Sequence, residues 1–140
     1  MELGIVNLDS ITAMDPVERE EELKRIAALI ESLNGQLAHY IQRQALNIAY
    51  FNYLQGFWER PVPSEKIALM HSELSEALEG LRGEDKSDKL PGFTAVEEEL
   101  ADVLIRVFDF SGYYELRLGQ ALCAKLRYNA TRPYKHGKNF

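Results

Sequence analysis

Apolar residues recurring every three or four positions constrain this chain more than any other feature, because that spacing lines one face of an α-helix and no face of a strand. Leu23, Ile26, Ala27, Ile30 and Leu33 form one such stripe, and Leu37, Tyr40, Ile41, Ala45, Ile48 and Phe51 a second. Ile67, Met70, Leu74, Ala77, Leu78 and Leu81 form a third, and Val96, Leu100, Val103, Leu104, Val107 and Phe108 a fourth. Alternation of period two is weak everywhere except in "LGIVNL" at the start of the chain. The expected fold class is all-α, a helical bundle of about four to five helices.

Local punctuation bounds these helices. Asp15, Pro16 and Glu18 supply an N-cap, a first-turn proline and an acid at the third position, predicting a helix over 16–33. Gly35 separates it from a second helix that runs to Gly56, followed by the irregular "ERPVP". Ser64 is placed to cap the third helix, and "GEDKSDKLPG" is its exit loop. Thr94 with Glu97 makes a capping box for the fourth, and a fifth near 115–130 ends before Pro133. No repeat, low-complexity segment or flexible linker interrupts the chain, so residues 1–140 read as a single domain, with 1–14 as an N-terminal arm and 131–140 as a basic tail.

Composition narrows the class of partner. The 140 residues are 46% hydrophobic and 27% charged, and no run approaches the roughly 20 apolar residues that span a bilayer. The opening "MELGIVNLDSITAMDP" has no basic segment of a signal peptide, and the single Cys123 cannot form an intramolecular disulfide. A cytoplasmic protein without a membrane partner is expected. The net charge of −6 is unevenly spread: the segment from residue 125 to the end holds Lys125, Arg127, Arg132, Lys135 and Lys138 and no acid, leaving 11 bases against 22 acids before it. So acidic a body repels the phosphates of duplex nucleic acid, while the basic end can still meet a small phosphate ligand.

Four acids stand out within "HSELSEALEGLRGEDKSDKLPGFTAVEEELADVL". Glu73 and Glu76 lie one turn apart on the flank of the third stripe, and Glu99 and Asp102 take the matching flank of the fourth. If the two helices form a hairpin, these carboxylates face one another, and two like charges about 5.5 Å apart repel by on the order of 3 kcal/mol at an effective dielectric near 20. Such crowding calls for bound protons or a cation, and an all-oxygen ligand set suits Mg²⁺, with Mn²⁺ as a substitute, better than zinc. The Glu-x-x-His pairing of di-iron bundles is absent. The plain reading of "EEE" at 97–99 is a solvated first turn favoured by the helix dipole, with Glu97 as the capping partner and Glu98 and Glu79 facing solvent.

The segments "KIALMHSELSEALEGLRG", "EEELADVLIRVFD" and "KLRYNATRPYKHGK" together resemble the MazG-like branch of the all-α nucleotide pyrophosphohydrolases, whose motif is E-E-x-x-E followed by E-x-x-D. The resemblance covers about residues 35 to 138, and Ser72 stands where the family carries the first acid of its doublet. It implies an oligomeric helical bundle, a homodimer or homotetramer, that hydrolyses a nucleoside triphosphate to the monophosphate and pyrophosphate with Mg²⁺. By the same resemblance Glu73, Glu76, Glu99 and Asp102 are the metal positions, with Glu76 or Glu73 also serving as catalytic base through a bound water.

Around this centre, Lys125 and Asn129 at i and i+4, with Arg132 beyond, are candidate phosphate-binding residues, and the family carries Lys and Asn at the first two. Trp58 matches an aromatic position near the base in relatives, and Asn47 on the second helix is a candidate reader of base edges. Packing alone also accounts for Trp58. His39 and His71 are expected to satisfy local hydrogen bonds, and Ile105 and Phe110 give the fourth helix a second apolar face suited to self-association. The substrate expected is a deoxynucleotide or a noncanonical one. The alternatives are a phosphoribosyl-ATP pyrophosphohydrolase and a non-catalytic helical interaction protein.

Overall fold

Asp15 opens the first helix with a reciprocal cap: its Oδ1 accepts the N–H groups of Val17 and Glu18, and Oε2 of Glu18 accepts the N–H of Asp15. The structure, a computed structural model, describes residues 14–83, 85–133 and 137. Helix α1 spans Pro16–Leu54, α2 Pro63–Gly83, α3 Ala95–Tyr113 and α4 Leu118–Ala130, and no strand occurs among the described residues. The all-α expectation holds. Residues 1–13 of the expected arm, and Tyr134, Lys135 and Lys138 of the tail, lie outside the described residues.

The two helices expected on either side of Gly35 are one. A glycine inside a helix costs only about 1 kcal/mol relative to alanine, and a chain flanked by Leu33, Gln36, Leu37 and Ala38 carries the helix through. Helix α2 starts at Pro63, with the Lys66 N–H donating to the Val62 carbonyl, so Ser64 sits inside the first turn and is not the cap. Proline suits that first position because its missing N–H would have no helical partner there. The Thr94–Glu97 capping box opens α3 as expected. Helix α4 begins at Leu118, later than 115, because Glu115 turns the chain with a positive φ of 52°.

Two compact units divide the chain, one of residues 39–119 and one of residues 1–38 with 120–140. In the first, α2 and α3 run antiparallel: Gly80 meets Ala95 and Val96, and seven residues back Glu73 meets Arg106. The loop between them is pinned by backbone bonds from Ser87 to Phe93 and from Ala95 to Asp85. On the far end of α3, Gly112 abuts the backbone of Ala45, and Ile41, Ala45 and Ala49 bury that face of α1. In the second unit Cys123 is buried and its thiol donates to the Asn34 carbonyl, while Arg127 pairs with Glu31 at 2.6 Å.

The apolar stripes of α2 and α3 are only partly buried. Leu74, Leu78, Leu81, Leu100 and Leu104 remain 47% to 64% exposed, and the residues of α2 that the fold buries are Glu73, Ala77 and Gly80. Small side chains let the two backbones approach along that row, and the leucines one row over are left outside. Ile105 on α3 is exposed as well. No helix among the described residues is long and apolar enough to cross a membrane.

Two glycines test this architecture in opposite directions. A Cβ on Gly112 would run into the carbonyl of Ala45, so Gly112→Ala is expected to destabilise the protein by about 1–3 kcal/mol in urea unfolding. A Cβ on Gly35 meets nothing within 4 Å, so Gly35→Ala is expected to stabilise by about 0.5–1 kcal/mol. Destabilisation by Gly35→Ala would rule out a continuous α1.

Candidate metal centre

The row that joins α2 to α3 is also the row that carries the acids. Glu73, Ala77 and Gly80 recur at helical spacing on α2, so the small residues that permit the close approach also press Glu73 against α3. One carboxylate oxygen each from Glu73, Glu76 and Glu99 all lie within 4.8 Å of one another. Glu73 and Glu99 are buried and Glu76 is exposed, where its Oε1 accepts a hydrogen bond from the Ser72 hydroxyl at 3.3 Å. Two ionised carboxylates at that spacing repel by about 3 kcal/mol at an effective dielectric near 20.

The protein leaves much of this repulsion uncompensated. Burial first, and then the charge of Glu76, push the Glu99 carboxyl above the usual carboxylate range. Its Oε2 is buried without a hydrogen-bond partner, although the residue is only 8% exposed. Asp102 is raised too, by burial and by the charge of Glu73, and it stands beside the three-carboxylate group without belonging to it. A buried acceptor with no donor, next to two further carboxylates, fits a divalent cation of hard character such as Mg²⁺ or Mn²⁺.

One residue here escaped the sequence reading. Arg106 donates from Nε to Oε1 of Glu73 at 2.9 Å, and its Nη2 forms an ion pair with the same oxygen at 2.8 Å. The signal was present in the spacing, because Glu99, Asp102 and Arg106 fall at i, i+3 and i+7 on one face of α3. Glu98 also corrects the expectation of a solvent-facing acid. It is buried, paired with Lys89 at 2.8 Å and bonded by the Ser87 hydroxyl, and these partners hold its carboxyl below the ordinary value. Glu97 does act as the capping partner, and its bonds from the Thr94 backbone and hydroxyl lower its carboxyl. Glu79 is exposed and pairs with Arg82. His39 and His71 are exposed and lie outside the carboxylate group.

The other candidates fall in different places. Lys125, Asn129 and Arg132 belong to the unit of residues 1–38 and 120–140, while all four acids belong to the unit of residues 39–119. Lys125 is exposed with its ammonium 4.9 Å from the Tyr128 ring centre, and Arg132 lies over the same ring at 5.9 Å. Asn129 is half-buried, with its Oδ1 unpartnered. Trp58 is 3% exposed, stacked on Tyr113 at 3.6 Å, with the Lys66 ammonium 4.2 Å from its ring centre. Its indole N–H donates to the buried Asp109 at 2.7 Å, a partner the sequence reading did not single out. That packing leaves the ring no free face of the size a stacked base needs, though the residue lines a cavity of about 510 Å³ with Tyr53, Glu59, Pro61 and Tyr113. Asn47 is exposed on α1 and does not line that cavity.

The raised carboxyls set a pH dependence with a definite sign. A carboxyl whose folded pKa exceeds its unfolded value holds its proton more tightly when folded. The metal-free protein therefore loses stability as pH rises from near the unfolded values of about 4 through the raised ones. Glu99→Gln removes one such group, so its melting temperature in chelator at pH 7 is expected to exceed wild type by a few degrees, and the gap to close below about pH 4. A lower melting temperature at pH 7 would show Glu99 to be structural.

The chain matches no protein-family model, no curated protein and no solved structure, so the reading of this centre rests on the geometry of its own residues.

Proposed function

We propose that this chain is a Mg²⁺-dependent nucleoside triphosphate pyrophosphohydrolase of the MazG-like kind, cleaving the α–β phosphoanhydride bond to release the monophosphate and pyrophosphate. The observation that carries the reading is the convergence of Glu73, Glu76 and Glu99 across two helices, with a buried oxygen of Glu99 left without a donor. Uncompensated buried carboxylates are destabilising, so a protein that places them together gains by binding a cation there.

Glu73, Glu76 and Glu99, with Asp102 at their edge, would hold the metal. When bound, Mg²⁺ neutralises the triphosphate and helps hold the attacking water in line with the leaving pyrophosphate. Glu76 is the member of the group open to solvent, which suits it to take a proton from that water. Within their own unit, Lys125, Asn129 and Arg132 carry charged and amide donors of the kind that meet phosphate oxygens. The base, of a deoxy or noncanonical nucleotide, has a place in the aromatic-lined cavity at Tyr53, Trp58 and Tyr113. The exposed leucines of α2 and α3 support a homodimer or homotetramer, since an apolar surface of that kind is covered in stable proteins.

A panel of triphosphates assayed for pyrophosphate release tests the whole reading. Turnover of at least one is expected with Mg²⁺ and none in chelator. Glu76→Gln and Asp102→Asn are each expected to lower kcat by roughly 100-fold or more with unchanged helical circular dichroism. Mg²⁺ binding without turnover of any triphosphate would place the chain with non-catalytic helical proteins.

A further inference from the structure

Arg106 stands beside two of the four acids, paired with Glu73 and offsetting by its charge part of the rise that burial imposes on the carboxyl of Asp102. Nε and Nη2 both converge on the one oxygen Oε1 of Glu73, so a single edge of the guanidinium is engaged and Oε2 of Glu73 is left over. A guanidinium carries five N–H donors, and the Nη1 pair of Arg106 makes no hydrogen bond among the described residues. The Arg106 side chain is 34% exposed, against 9% for that of Glu73, so the guanidinium belongs to the more open side of the pair.

A triphosphate approaching four carboxylates needs more positive charge than the acids' own metal supplies, because the acids repel it as strongly as they attract the cation. From this arrangement we infer that Arg106 is a phosphate-binding residue of the acid centre, anchored through one edge by Glu73 and presenting the free Nη1 edge to a phosphoryl oxygen. The inference rests on the pyrophosphohydrolase reading and adds to it a contact within the same compact unit as the acids. The planar fork suits both tasks at once, since one edge can hold a carboxylate while the other meets phosphate, which a lysine ammonium cannot do with fixed geometry. Glu73 then has two duties, one oxygen orienting Arg106 and the other available to metal.

Calorimetric titration of the full chain with Mg²⁺ alone, and with inorganic triphosphate in the presence of Mg²⁺, separates this role from that of a mere counter-ion. Arg106→Gln is expected to bind Mg²⁺ as tightly as wild type or tighter, because a competing cation is gone, and to bind inorganic triphosphate roughly tenfold more weakly or worse. In turnover the same variant should raise KM more than it lowers kcat. Unchanged triphosphate affinity in Arg106→Gln would make Arg106 only the partner of Glu73, and loss of Mg²⁺ binding in step with triphosphate would make it a support of the acids; either overturns the inference. Should that variant fail to fold, Arg106→Lys decides, because it keeps the charge and loses the second edge, and wild-type affinity in it overturns the inference too. A wild-type protein that takes up no Mg²⁺ refutes the metal reading itself, whereas one that binds Mg²⁺ and triphosphate equally well with and without Arg106 refutes this residue alone.

Discussion

The contact between Gly80 on α2 and Ala95 on α3 governs the structure around it. A Cβ on Gly80 would stand 3.0 Å from that of Ala95 and 3.3 Å from the Val96 nitrogen, so the helices approach closely enough there that a larger side chain would press on its neighbours. One turn along, that proximity brings Glu76 to Glu99, and two turns along it brings Glu73 to Arg106. The carboxylates are therefore not gathered by any attraction between them. They are forced together by backbones that pack on small residues, and the loop bonds at Ser87 and Ala95 close the hairpin that keeps the register. Arg106 and Lys89 then offset part of the charge, Arg106 on Glu73 and Lys89 on Glu98.

The same packing choice explains the small core. When glycine and alanine occupy the contact row, the leucines one row over stay largely uncovered among the described residues. The buried apolar residues are Ile41, Ala45, Ala49, Trp58, Ala77 and Cys123, half of them alanines, and no large side chain is fully enclosed among the described residues. Alanine burial contributes little free energy compared with leucine, and each fully buried leucine is worth about 1.5–3 kcal/mol over an exposed one. The leucines of α2 and α3 thus represent stabilisation left unused among the described residues, which is the physical content of the proposal that the chain self-associates.

Features fixed by neighbours in sequence were legible, and those fixed by the partner helix were not. The caps at Asp15 and Thr94 depend on residues three positions away, so their chemistry is written locally. The paired acids were legible because helical spacing and a short loop predict both the faces and the hairpin. Gly35 misled because a glycine is a terminator only where the chain turns left-handed after it, and here it carries a plain helical turn. The stripes misled for a subtler reason: periodicity reveals a face, but which row of that face touches the neighbour depends on side-chain size, and glycine and alanine won. Glu98 shows the same limit, since its burial follows from Lys89 and Ser87 in a loop whose path periodicity does not describe. Trp58 was open between packing and ligand contact, and Asp109, an acid inside the apolar run of α3, is the residue that engages it.

Asp109 and Glu99 show how differently two buried acids of one helix are treated. Asp109 is 3% exposed and has the indole N–H of Trp58 on its Oδ1, so its desolvation is offset by a hydrogen bond within the fold. Glu99 is buried nearly as deeply, has an oxygen with no donor, and faces other carboxylates in place of a partner. A residue whose role was structural would be better served by the first arrangement, or by an apolar side chain of similar volume, which often costs nothing relative to a buried ion. Among the described residues, the one guanidinium paired with any of Glu73, Glu76, Glu99 and Asp102 is that of Arg106, and it is bound to the acid farthest along the seam from the loop. Glu99 therefore keeps a buried oxygen without a donor beside other carboxylates, a combination that a bound proton or a small hard cation would each relieve.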